Sequence, residues 1–84
     1  MSRVETRERL LAFLDTIRRP NVPLSVIDAN DSLMASGLID SLALLEIVTH
    51  LESEYALDFT IIGFDPARLG TISGILDLIE EHAA

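Results

Sequence analysis

Gly37-Leu38-Ile39-Asp40-Ser41-Leu42-Ala43-Leu44-Leu45-Glu46-Ile47-Val48 is the stretch that decides how the rest of the chain reads. A turn-forming glycine, an aspartate and a serine come immediately before a helical pattern. At about 100° per residue, Leu44, Ile47, Val48, Leu51 and Tyr55 form one apolar stripe. A helix from Ser41 to Tyr55 or Ala56 that packs this stripe on a core is expected. Leu42 and Leu45 fall off the stripe, grouped with Thr49 and flanked by Glu46 and Ser53. They either pack beneath the preceding loop or form an apolar patch inside an acidic rim. Ser41 stands at the helix start, where unpaired N–H groups and the dipole favour negative charge.

Upstream, Leu10, Phe13, Leu14 and Ile17 share a face, with Val4 and Leu11 flanking it, which predicts a first helix from Arg3 to Arg18. Pro20 stops it, because the residue before a proline is pushed out of helical geometry. A long connection follows, from Pro20 to Asp40, with Val26, Ile27, Leu33, Met34, Leu38 and Ile39 available to pin it to the core. Within it, Asp31-Ser32-Leu33 suits a short turn in which Asp31 bonds N–H groups ahead of it. Downstream, Asp58 to Gly63 is rich in β-branched and aromatic residues and reads as briefly extended, with Phe59 and Ile61 or Ile62 plugging the core from a loop. No second strand exists to pair with it. Asp65-Pro66 is an N-cap and N1 signature that opens a short turn, Pro66 to Leu69, closed by Gly70. Thr71 then caps a last helix whose inner face is Ile72, Ile75, Leu76 and Ile79, with fraying expected at 82–84. The expected fold is all-α: a small bundle of three main helices plus a short third one, with a long loop between helices 1 and 2.

Eighty-four residues suffice for one domain, taken as 1–84. The net charge is −8 and lysine is absent, so a phosphate backbone would repel the surface and nucleic-acid binding is not expected. Basic patches on protein partners would attract it. There is no cysteine, hence no disulfide framework, thiolate metal site or cysteine nucleophile. The charged N-terminus lacks the apolar core of a signal peptide, and no apolar run approaches the roughly 20 residues that span a bilayer. A cytoplasmic protein without membrane insertion is the expectation.

Ser41 invites comparison with a hydrolase nucleophile, which needs a base in hydrogen-bond reach. His50 lies nine residues on, about 13 Å along the axis and on roughly the opposite side. His82 is near the terminus, and the G-x-S-x-G elbow is missing. Asp28, Asp31 and Asp40 do not match the spacing of a calcium loop. An enzyme is therefore not expected, nor a metal site. As an ordinary residue Ser41 would be an N-cap, a role for which Asp40 competes. The same place also suits a serine carrying a phosphoester.

The run Asp40-Ser41-Leu42, preceded by Gly37-Leu38 and followed by Leu45-Glu46-Ile47-Val48-Thr49-His50-Leu51-Glu52-Ser53-Glu54-Tyr55, resembles the acyl carrier proteins. The likeness extends to length, acidity, the long first loop with Asp31-Ser32-Leu33, and a short third helix. It implies that Ser41 carries 4′-phosphopantetheine, placed there from coenzyme A by a phosphopantetheinyl transferase. The thiol of that arm holds a thioester, so the chain needs no cysteine of its own. By the same resemblance Asp40 helps present the serine to the transferase, and Leu42, Leu45, Glu46 and Thr49 meet partner enzymes. Those partners are an acyl-activating ligase and acyl-processing enzymes of lipid or secondary-metabolite biosynthesis, served by a monomer. In some members the bundle interior shelters the tethered chain. Ala43 stands where carriers of primary fatty-acid synthesis commonly have an acidic residue, and Asp58 to Gly70 is longer and more apolar than theirs. Both point to a specialised carrier, with an aminoacyl or D-alanyl type as the second choice. From a different class, an unmodified acidic helical adaptor would use Ser41 only as a cap.

Overall fold

The computed structural model describes residues 3–82, and Ala83 and Ala84 of the expected frayed end lie outside them. Five α-helices follow one another: α1 (Arg3–Ile17), α2 (Ser41–Tyr55), α3 (Phe59–Ile62), α4 (Pro66–Leu69) and α5 (Ile72–His82). A 3-10 turn, Leu24–Val26, interrupts the long α1–α2 connection. Among the described residues there is no strand. The fold is a small helical bundle, with α1 and α4 both lying against α5, and α4 also touching α2.

The apolar spacing of each long helix becomes its buried face. Leu10 and Leu14 of α1, Ile47 and Leu51 of α2, and Ile75 of α5 are wholly buried, while Phe13, Ile17, Val48 and Tyr55 flank them half-buried. Burial of each such leucine or isoleucine is worth about 1.5–3 kcal/mol. Two small residues join the core without belonging to a stripe of large ones: Thr6 of α1 and Ala43 of α2. Val4, by contrast, faces solvent.

The segment read as briefly extended is a helical turn. Asp58 caps it, its carboxylate accepting from both the backbone N–H and the hydroxyl of Thr60. That cap outweighs the β preference of Thr60, Ile61 and Ile62, because four residues need only one satisfied turn. Phe59 and Ile62 pack against the core and Ile61 points into solvent. This adds a second short helix to the one expected at Pro66, where Asp65 accepts from the Ala67 N–H. Thr71 caps α5 through the Gly74 N–H, and His82 remains in the helix.

The α1–α2 connection is fastened rather than loose. The Arg19 N–H bonds Leu38 O, the Leu33 N–H bonds Gly70 O, and the Ser73 N–H bonds Ala29 O. Leu33, Leu38 and Ile39 are buried, whereas Val26 and Met34 stay exposed. Asp31 turns backward, accepting from the Asp28 N–H, and Ser32 takes the forward amide of Ala35. Asp31 bonds behind itself because its own turn, Asp31 N–H to Asp28 O, brings that amide within reach. Gly37, at φ +84°, reverses the chain just before the serine, a conformation that costs residues with a Cβ.

Candidate functional site

Gly37, Leu38 and Ile39 deliver the chain to the start of α2 with both apolar side chains buried. The next residue, Asp40, is extended and is the N-cap, its carboxylate accepting from the Ala43 N–H at 2.9 Å. The Leu44 N–H bonds the Asp40 carbonyl and starts the helical ladder. Ser41 is thus the first helical residue, exposed, and its hydroxyl is left out of the cap bond. The N–H groups of Ser41 and Leu42 have no helical carbonyl to meet, which is the position at which a phosphate is stabilised. Asp40 and Ser41 are adjacent at one helix end, as the sequence placed them.

Leu42 and Leu45 project outward, 69% and 58% exposed, which decides between the two readings of this pair: neither is covered by the loop. With Glu46, Thr49, His50 and Ser53 of α2 and Phe13 of α1, they line an open groove of about 640 Å³. The expected partner residues Leu42, Leu45, Glu46 and Thr49 therefore share one surface. The Thr49 hydroxyl donates to Leu45 O, which leaves its oxygen able to accept.

His50 is fixed by aromatic neighbours. Its ring stacks on Phe13 at 3.8 Å between centroids, 5° from parallel, and meets Tyr55 edge-on at 6.3 Å. The Tyr55 hydroxyl is tucked out of water with no hydrogen-bond partner among the described residues, and burial, then the nearby Glu54 charge, pushes its pKa up. The Phe13–His50 contact is the part of the site that sequence reasoning missed, since it joins two helices and leaves no periodic trace. A polar aromatic beside the α2 stripe, facing the half-buried edge of α1, was the available signal. Among the described residues no group of three or more carboxylates, imidazoles or thiols is placed to hold a metal.

Among protein families, the profile described as the phosphopantetheine attachment site matches residues 14–79, most of the chain. The protein belongs to that family. Neither the curated proteins nor the solved structures returned a significant match. In this family 4′-phosphopantetheine is attached covalently to a serine, and the domain is a non-catalytic carrier. A carrier domain interacts with a phosphopantetheinyl transferase and with processing enzymes. No helix among the described residues of this carrier domain is long and apolar enough to cross a membrane.

The residues at the start of α2 fit the group. The Ser41 hydroxyl is exposed and outside the cap bond, the N–H groups of Ser41 and Leu42 would be available to a phosphate there, and an apolar surface begins one residue later. Two serines of the preceding connection are engaged instead: the Ser32 hydroxyl accepts from the Ala35 N–H and the Ser36 hydroxyl donates to Leu33 O.

Proposed function

We propose that this chain is an acyl carrier protein that bears 4′-phosphopantetheine on Ser41. The observation that carries the reading is the exposed Ser41 hydroxyl, relieved of capping by Asp40 and bordered by the exposed Leu42 and Leu45. When bound, the group supplies a thiol that holds the acyl cargo as a thioester. The chain's own residues present and protect nothing catalytic. Asp40 keeps the helix end formed and presents the serine to the transferase, while the two helix-end amides stabilise the phosphate. Leu42, Leu45, Glu46 and Thr49 form the face read by the transferase, an acyl-activating ligase and acyl-processing enzymes. The domain spans 1–84, acts as a monomer in the cytoplasm, and leaves chemistry to its visitors.

Incubation with a broad-specificity phosphopantetheinyl transferase and coenzyme A will add roughly 340 Da, as expected for one covalent arm. Ser41→Ala will abolish the gain. An unshifted mass, or a shift that survives Ser41→Ala, overturns the assignment. The adaptor alternative predicts an unchanged mass and partner binding that survives Ser41→Ala.

A further inference from the structure

Past the end of α1, Arg19-Pro20-Asn21-Val22 closes a turn, with the Val22 N–H meeting Arg19 O at 3.3 Å and proline in the second place. Arg18 staples that turn from outside. Its Nη1 donates to Arg19 O and to Val22 O, both at 3.2 Å, while Nε holds Asp15 at 2.7 Å. The side chain is 27% exposed, so these charge-assisted bonds are partly shielded from water. The stapled turn touches the approach to the serine at two consecutive residues. Val22 lies against Gly37, 3.8 Å from where a Cβ there would stand, and the Arg19 N–H donates to Leu38 O at 2.9 Å. The Leu38 N–H in turn bonds Leu33 O at 3.1 Å, so Leu38 is held at both backbone groups. Only Ile39 and Asp40 separate it from Ser41. Resting on Ser41 as the attachment point, we propose that Arg18 is a positioning residue for its modification: the guanidinium holds the turn that aims the serine hydroxyl at the incoming phosphorus.

In the transfer, the Ser41 oxygen bonds phosphorus as the pyrophosphate bond of coenzyme A breaks. Adenosine 3′,5′-bisphosphate leaves, and the hydroxyl proton passes to the transferase. Such a displacement is sensitive to placement, a shift of about 1 Å costing up to about 10²-fold. The face read by the transferase lies on α2, whose stripe of Leu44, Ile47 and Leu51 is buried in the core rather than under the turn. A loosened turn therefore leaves docking alone and lowers the fraction of bound carriers whose hydroxyl is in place. kcat falls and KM does not. Lysine cannot replace this arginine, because its ammonium is a point charge without the planar fork that meets Asp15 and both carbonyls at once.

The test measures phosphopantetheinylation of the full chain by a broad-specificity transferase with coenzyme A, at a temperature where circular dichroism shows each variant folded. Arg18→Lys keeps the net charge of −8, so long-range attraction to the enzyme is unchanged. Its kcat will fall about tenfold with KM unchanged, the end-point mass gain will remain, and the Arg19 amide will exchange faster. Thr60→Ala, which weakens the cap of α3, will keep the parental kcat. Should Arg18→Lys fail to fold, Asp15→Asn, which releases the guanidinium from its orienting carboxylate, will show a smaller fall in kcat, again with KM unchanged. Parental kcat in the folded variant overturns the proposal, as does a raised KM, which makes Arg18 a docking contact. An equal loss of kcat in Thr60→Ala reduces the effect to general loosening and also overturns it. No mass gain in the parent chain, or a gain that survives Ser41→Ala, overturns Ser41 as the attachment point instead.

Discussion

At the scale of the residue, the division of labour between Asp40 and Ser41 has a measurable signature. Both residue types cap helices, and a serine that caps is not free to react without cost to the helix. Asp40 holds the Ala43 N–H at 2.9 Å, so Asp40→Ala will cost about 1 kcal/mol in denaturant unfolding. Ser41→Ala removes an exposed hydroxyl outside that bond and will stay within about 0.5 kcal/mol of the parent. Loss of modification with retained stability separates chemistry from folding at two neighbouring positions. Sequence alone left the cap open between these two, because both lie one step from the first helical turn and the choice depends on backbone angles.

At the scale of the element, the short helices α3 and α4 show how far local chemistry and packing can each be read. The Asp65-Pro66 start of α4 was legible because an aspartate cap and a proline at N1 act locally. The long helices were legible for a different reason: Leu44, Ile47 and Leu51 repeat at helical spacing, and that spacing is what the core requires. Asp58 to Gly63 was misread since Thr60, Ile61 and Ile62 favour extended backbone, whereas the Asp58 cap favours a turn. The cap is pH-sensitive. The Thr60 hydroxyl first, then its amide, holds the Asp58 carboxyl below its ordinary value. A folded-state pKa lowered in this way gives stability that is complete above the ordinary carboxylate range, near about pH 4, and is lost as pH falls through the folded value. An NMR titration will show the Thr60 amide and the Asp58 carboxyl moving together, below the range of the unfolded chain. The α4–α5 corner is set by close approach instead. A Cβ at Gly74 would lie 2.1 Å from Arg68 O, a backbone atom. Alanine in place of glycine within a helix ordinarily gains about 1 kcal/mol. Here the clash requires α4 to move, which overpacking values put at about 1–3 kcal/mol. Gly74→Ala will therefore lower the melting temperature.

At the scale of the whole molecule, acid dominates the exterior and a few tied arginines hold the outer seams. Arg3 reaches Asp77 and Glu80, joining the start of α1 to α5, Arg18 pairs with Asp15, and Arg68 pairs with Glu81. Exposed pairs of this kind add little and are screened by salt, so the bundle rests on its apolar faces. What the sequence could not disclose was how distant segments meet: Phe13 on His50, Gly70 on Leu33, Ser73 on Ala29. Such contacts carry no period and no local motif. The last two have a consequence for time rather than shape. The connection that leads to the serine is sutured in its middle to the corner between α4 and α5, so it cannot lift without tearing that corner. Its protected amides belong to the same opening event as the last helix. In hydrogen exchange, the Leu33 and Ser73 amides will share the slow rates of Ile75 and Leu76, although Leu33 lies in a segment without regular structure. A visiting enzyme that grips the serine would meet a stiff mount and have to adapt its own surface.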